Sequence, residues 1–502
     1  MGGRRKLFGA LTAALVATGS LVLTGGATSA TEAHGGPRYV AGAPGAGDAY
    51  FPFAGNGGYD VSHYDLDVTY TPPAPDPAPL VGQLSGVATI DLVATQNLDR
   101  FNLDLRGMDV QSVTVNGKRL REVSPPARGG AGGPAYWHVQ DDVARVWELT
   151  VQPRPKIKKG HTARVVVTYA GDTTRPQDIE GALYGWVTTR DGAMVVSEPE
   201  GSMTWYPVSD HPTDKATYGF EITVPEGKVA VANGLPAGDP VTEDGWTTWS
   251  WDAPDAQASY LTTASVGDYD VRQSQTPGGL PILDFVDDGL TPANAAVTDA
   301  SLALQADMIG FLEGSFGAYP FNSYGSIVDD DTVGYALETQ TRPVYSRVAR
   351  ESTVAHELAH QWFGNAVSPA RWQDIWLNEG WASYIEWLWS EHEGRESAQA
   401  SFDAVMAIPA DDPFWALAIA DPGPLGLFNG AVYDRGAATL HALRLEVGDE
   451  AFYAGAREWL ARYDDSSATT EDFEAIYEEV SGQDLGTFFD VWLRTPTKPT
   501  TW

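Results

Sequence analysis

The sequence predicts an α+β fold in two domains, an all-β domain followed by a mainly helical domain built around a metal site. Two observations predict it. Apolar residues alternate with period two from Tyr59 to about Asp270 and recur at helical spacing after Pro281. The helical part carries His356-Glu357-Leu358-Ala359-His360, two histidines four residues apart. Composition agrees: 502 residues with 43% hydrophobic and 11% aromatic residues can bury more than one core, which excludes a disordered or fibrous chain. The formal charge of −35 excludes nucleic acid as a partner, because that binding needs a basic face.

From the N-terminus, Arg4, Arg5 and Lys6 precede an apolar run from Leu7 to Leu23 and a small-residue segment, Ala27-Thr28-Ser29-Ala30. Residues 1–30 therefore predict a signal peptide and a secreted, extracellular chain. The run is short and broken for a bilayer span, so no stable membrane insertion is expected once it is removed. Arg4-Arg5 leaves the export route open between the general and the twin-arginine pathways. Residues 31–58, rich in Gly, Ala and Pro, read as a flexible leader.

The β domain is expected over 59–272. Its strands are marked by Tyr64, Leu66, Val68 and Tyr70, by Ile90 and Leu92, by Phe101, Leu103 and Leu105, and by Trp147, Leu149 and Val151. Asn116-Gly117 marks a hairpin turn, and Trp246, Trp249 and Trp251 mark a strand with buried aromatics. The second domain is expected over 273–502. Leu302, Met308, Ile309 and Leu312 suit a helix, and a short β stretch covers Ile327 to Glu338. Helical spacing then covers Val354 to Phe363, Glu379 to Trp389, Tyr433 to Val447, Glu450 to Tyr463 and Glu471 to Val480. Asp329-Asp330-Asp331 could hold calcium, but the spacing lacks the alternating oxygen ligands of a calcium loop, so a solvated loop is expected.

Chemistry concentrates at one place. On a helix, positions i and i+4 share a face, so His356 and His360 can reach one zinc ion while Glu357 touches a metal-activated water. Eighteen residues separate His360 from Glu379, which opens the next helical segment and can supply a third ligand. With no cysteine in the chain, a His/His/Glu set with a fourth position left to water is the catalytic form of zinc site. Asn365 and Asp374 are candidates to orient the histidines through their second nitrogens. Trp362, Trp372, Trp376, Trp381, Trp387 and Trp389 recur near helical spacing and read as packing around the zinc helices.

The block from His356 to Tyr384, HELAHQWFGNAVSPARWQDIWLNEGWASY, resembles the zinc signature of the aminopeptidase N family of gluzincins, relatives of the leukotriene hydrolases. Tyr206-Pro207-Val208-Ser209-Asp210-His211-Pro212 with Lys215-Ala216, and Tyr433-Asp434-Arg435-Gly436-Ala437, extend the resemblance over most of 59–499. The resemblance implies a saddle-like N-terminal β domain, a thermolysin-like catalytic domain and one Zn2+ per chain. It makes Tyr433 the oxyanion donor. Of the family's Gly-Ala-Met-Glu-Asn motif, Tyr335-Ala336-Leu337-Glu338-Thr339 keeps Ala336 and Glu338. Glu338 is then expected to hold a substrate's α-amine, with Glu198 as second amine ligand and Glu200 as the competing choice.

The expected function is thus a secreted zinc aminopeptidase acting on peptides with a free N-terminus, by attack of a metal-activated water with Glu357 as base. A thermolysin-like zinc endopeptidase and a non-catalytic binding module on the same fold are the alternatives; oligomeric state and preferred N-terminal residue stay open. The chain stops at Trp502, soon after Val491-Trp492-Leu493-Arg494. The resemblance therefore implies a short form without the family's C-terminal helical domain, whose cleft is open on one side.

Overall fold

The computed structural model describes residues 38–75 and 78–500; the expected signal peptide lies outside them. Strands β1 (Tyr59–Thr71) and β2 (Gly82–Ala94) form a long antiparallel pair. They are followed by β3 (Leu98–Asp104), β4 (Asp109–Val115), β5 (Val146–Gln152) and β6 (Thr162–Thr173). Alternation is the cause: Tyr64, Leu66, Val68 and Tyr70 of β1 are buried while Asp65, Asp67 and Thr71 face out. After β4 the chain turns at Asn116-Gly117 with φ of 49° and 72°, the left-handed pair a two-residue hairpin needs.

Further along come β7 (Gly185–Thr188), β8 (Ala193–Val196), β9 (Ala216–Pro225), β10 (Trp246–Gln257) and β11 (Ala264–Gly267). The large sheet runs β10-β9-β1-β2-β6-β4 through its long strands, with β9 parallel to β1. Of the three tryptophans in β10 only Trp251 is buried; Trp246 and Trp249 are half-buried, which corrects the expectation of a buried aromatic cluster.

A second sheet begins where the β domain was expected to end. It contains β12 (Tyr269–Gln275), β13 (Pro281–Asp287), β14 (Tyr324–Asp329), β15 (Ala336–Leu337) and β16 (Val344–Ser346), in the order β12-β13-β14-β16-β15. The expected boundary at 272/273 falls inside β12, which pairs with β13 along its whole length. Both faces of its inner strands β13 and β14 are covered, while the edge strand β12 is mostly exposed. Leu283, Phe285, Ile327 and Val344 join the core of the β domain, whereas Ile282, Val286, Val328 and Tyr345 join the core under the helices. Buried on both sides, β13 and β14 lack the period-two alternation of a half-exposed strand.

The helices are α1 (Pro292–Leu302), α2 (Gln305–Phe316), α3 (Glu351–Ala359), α4 (Trp376–His392), α5 (Ala398–Met406), α6 (Gly430–Val447), α7 (Asp449–Tyr463) and α8 (Thr470–Ser481). The Asn429 side chain caps α6 by accepting from Ala431 N at 3.0 Å, and Thr469 with Asp472 closes a reciprocal box at the start of α8. Gly380 of α4 meets Gly436 of α6 so closely that a Cβ on Gly436 would lie 2.9 Å from the Gly380 Cα. Arg435, fully buried beside it, donates to the carbonyls of Trp492 at 2.9 Å, Leu417 at 2.9 Å and Thr495 at 2.7 Å, tying α6 to the end of the fold. No helix among the described residues is long and apolar enough to cross a membrane.

Two sequence expectations are corrected. The expected flexible leader is packed from residue 39 onward: Val40–Ala41 adds a parallel strand beside β3, and Phe51 and Ala54 are buried. The anchor is Asp48, whose carboxylate takes the amides of Tyr50 at 2.7 Å and of distant Trp372 at 2.9 Å. Nor is Asp329-Asp330-Asp331 a solvated loop. Asp329 is buried and accepts from the Tyr269 hydroxyl at 2.9 Å, and Asp331 pairs with Arg175 at 2.7 Å.

Candidate metal centre and active site

Helix α3 ends at Ala359, but His360 keeps helical dihedrals of −58° and −25°, so it stays one turn above His356 on the same face. Glu379 sits in the first turn of α4, where the helix dipole favours a carboxylate. Its Oε2 lies 3.2 Å from His356 Nε2 and 3.5 Å from His360 Nε2, and one donor atom of each residue lies within 4.8 Å of the other two.

The far side of each ring fixes which nitrogen is free. His360 Nδ1 lies 3.1 Å from the Phe363 carbonyl, which can only accept, so Nδ1 carries the proton and Nε2 presents its lone pair to the centre. His356 Nδ1 is held likewise by Glu386 at 2.8 Å. Two imidazole nitrogens and a carboxylate oxygen converging with their outer partners satisfied fit zinc.

The expected orienting residues are corrected. Asn365 donates instead to the Glu338 carbonyl at 2.7 Å, and Asp374 accepts from Arg371 at 2.8 Å and from Thr470 at 2.7 Å. Glu386, which the sequence reading missed, does the orienting for His356. It stands seven residues, two helical turns, past Glu379, and that spacing on one helix was the available signal.

A cavity of about 350 Å³ opens over the triad. Glu357 and Tyr433 line it, with Glu198, Ala336 and Glu338 and with the unforeseen Asp178, Glu180, Tyr335, Thr353 and Phe428. Ala336 lies on edge strand β15, and Glu338 follows directly after it. The Glu338 carbonyl is held by Asn365 and, at 3.2 Å, by Gln361, so the turn after α3 fixes the position of this carboxylate. Glu198 and Glu338 are buried, and each keeps one carboxylate oxygen, Oε1, with no hydrogen-bond partner. Glu200 is ruled out as a pocket ligand: it is buried against Arg145 and does not line the cavity. Of the six tryptophans near the signature, none lines the cavity, and all but Trp387 are fully buried.

The electrostatics follow from burying so many carboxylates together. Burial, then repulsion from Glu338, raises Glu198 well above the ordinary range, and burial likewise raises Glu338. Burial pushes Glu357 up to about 8 although His356 and His360 oppose the rise. Burial would raise Glu379 too, but His360 and His356 hold it down at about 2. Burial keeps Tyr433 a neutral phenol, able to donate, and its ring lies against that of His356 at 6.0 Å between centroids.

Residues 61–261 match the model of the peptidase M1 N-terminal domain and residues 325–492 that of the peptidase family M1 domain. Glutamyl aminopeptidase of Homo sapiens is 27% identical over 324 residues, 59% of this chain and 33% of that protein. Aminopeptidase N of Lactococcus lactis subsp. lactis is 28% identical over 323 residues, 59% of this chain and 38% of that protein. The chain thus spans about a third of the length of the curated relatives it matches. Among solved structures, the M1 zinc metallopeptidase of Deinococcus radiodurans superposes with a TM-score of 0.78 and 29% identity, over 91% of this chain and 99% of that one. A mutant of that protein bound to a Tyr-Ser-Ala substrate gives 0.79 over the same shares.

Proposed function

Since the chain belongs to peptidase family M1, we propose that it is an exported zinc aminopeptidase, removing residues one at a time from peptides with a free N-terminus. The observation that carries this reading is the pair Glu198 and Glu338. Both residues line the same cavity as His356, His360 and Glu379, and each has a buried carboxylate oxygen without a hydrogen-bond partner. Buried carboxylates without donors lack a cation, and the α-ammonium of a peptide supplies a charge and three donors. Export rests on Arg4-Arg5-Lys6 and the apolar run that follows.

Zinc held by His356 Nε2, His360 Nε2 and Glu379 would supply Lewis acidity toward a carbonyl oxygen and lower the pKa of a water. The chain does the rest. Glu198 and Glu338 anchor the amine, which sets the first peptide bond, and no later one, over the triad. Glu357 takes the proton from the attacking water and returns it to the leaving amine. The Tyr433 hydroxyl donates to the oxygen on which negative charge develops. The glutamyl preference in several relatives' names is not carried over. The residues lining this cavity include Asp178 and Glu180 and no lysine or arginine.

The test compares free and N-acetylated forms of one peptide. The free form should be the only good substrate. Glu338→Gln should lower its kcat/KM by about ten- to a hundredfold at unchanged zinc content, as expected for losing one charge-assisted contact. Equal cleavage of both forms by the unaltered enzyme would mean an endopeptidase. Zinc loading without hydrolysis of either form would leave only a binding module.

A further inference from the structure

We propose that Asp191, Asp287 and Asp330 form a calcium site that fastens the β-rich half of the molecule to the sheet beneath the helices. The three residues come from different parts of the chain. Asp191 lies in the turn between β7 and β8, Asp287 ends β13, and Asp330 follows β14. A carboxylate oxygen from each lies within 4.8 Å of the other two. β13 and β14 are adjacent and parallel, so Asp287 and Asp330 stand at the carboxyl ends of neighbouring strands, where open α/β sheets bind their ligands.

Each carboxylate is set in place by its surroundings. Asp191 accepts from the Thr189 hydroxyl at 3.0 Å and from the Asp268 amide at 2.9 Å. Asp287 is only 5% exposed; its Oδ1 takes the Gly289 amide at 2.6 Å, while its buried Oδ2 has no partner at all. A buried carboxylate oxygen without a donor is costly, and a cation between the three aspartates removes that cost. Asp268 adds negative charge next to them. Among the described residues, Lys228 lies 2.7 Å from Asp268 and 3.9 Å from Asp191, and Arg347 lies near Asp330. Burial followed by the repulsion of Asp191 and Asp330 pushes Asp287 up to about 7.

The donors select the ion. With oxygen ligands only, and neither histidine nor cysteine, the set suits a hard cation and not zinc. Carboxylates on two strand ends and one turn give the irregular, adaptable geometry calcium accepts and magnesium does not. The Asp329-Asp330-Asp331 run therefore divides its work: Asp329 bonds to Tyr269, Asp331 to Arg175, and Asp330 is left for the ion.

The experiment uses the full zinc-loaded chain, freed of calcium on a chelating resin and titrated with calcium chloride by calorimetry and thermal denaturation. One site is expected, with a Kd of about 10⁻⁴–10⁻³ M as in extracellular modules, and a Tm that climbs by several degrees up to about 10 mM calcium. Magnesium chloride should give a smaller rise. Asp287→Asn should abolish both responses and leave the calcium-free Tm equal to or above that of the unaltered chain, since a repelling charge is gone. Asp330→Asn, at an exposed position that tolerates substitution, should weaken binding at least tenfold and decides the matter if Asp287→Asn does not fold. No calcium response in the unaltered chain overturns the site. So does an unchanged response in the Asn variants, which would put calcium elsewhere on this acidic protein.

Discussion

At the scale of single residues, the metal centre depends on a carboxylate outside the zinc triad. Glu386 accepts from His356 Nδ1 and so keeps the ring's other nitrogen free and aimed. Glu386→Ala should cost about 10–100-fold in zinc affinity, read by competition with a chelator, and Glu386→Gln should recover most of it because an amide oxygen still accepts. An unchanged affinity in the alanine variant would show that α3 alone orients the ring. The ligands themselves were legible, because i and i+4 on a helix dictate a shared face and Glu379 opens the next one. Their outer partners were not, because Asn365 and Asp374 look equally able to reach a ring until the turn at Gly364 and the approach of α8 fix where they point.

At the scale of elements, the tyrosine and the third zinc ligand are set by one helix contact. Tyr433 and Gly436 are on α6, Glu379 and Gly380 on α4, and the two glycines let the backbones touch. Gly436→Ala would place its Cβ 2.9 Å from a backbone atom that cannot rotate away, so α6 must shift and carry Tyr433 with it. The expected result is a loss of about 1–3 kcal/mol in stability, measured by denaturation, with kcat lowered more than zinc content. Full activity with unchanged Tm would show that the helices have slack there. Strand and helix positions were readable from period two and from helical spacing. The parallel pairing of β9 with β1 was not, since nothing local marks a partner some 150 residues away. The leader was misread for a related reason: its composition resembles a linker, and the contact that orders it, Asp48 to the Trp372 amide, spans most of the chain.

At the scale of the whole molecule, a protein with 67 acidic residues buries several of them away from the metal. Asp210 and Asp214 are raised to about 7, first by burial. A carboxyl with a raised pKa in the fold holds its proton where the unfolded chain, titrating near 4, has lost it. Its contribution therefore favours the fold at low pH and is lost as pH rises to about 7. His441, lowered to about 4 chiefly by burial, acts in the opposite sense only below about 6.5, and Lys215, lowered to about 7 by burial, only above 7. Between about pH 6 and pH 7.5, in excess zinc, Tm should fall as pH rises. A flat or rising Tm would mean that the protein relaxes around these groups.

The sheet from β12 to β16, whose inner strands are buried on both faces, makes the two halves poor candidates for modular reuse. Cutting the gene at residue 272 would split a strand and strip one half of the sheet's covering, leaving Leu283, Phe285, Ile327 and Val344 as an oily slab in water. The helical fragment expressed by itself should precipitate or stay trapped with chaperones. Co-expression of both pieces should rescue it as a soluble complex. A soluble, monomeric helical fragment would show that this slab can find other cover. For a designer, this chain is a single indivisible part, and a change of specificity has to be made within it.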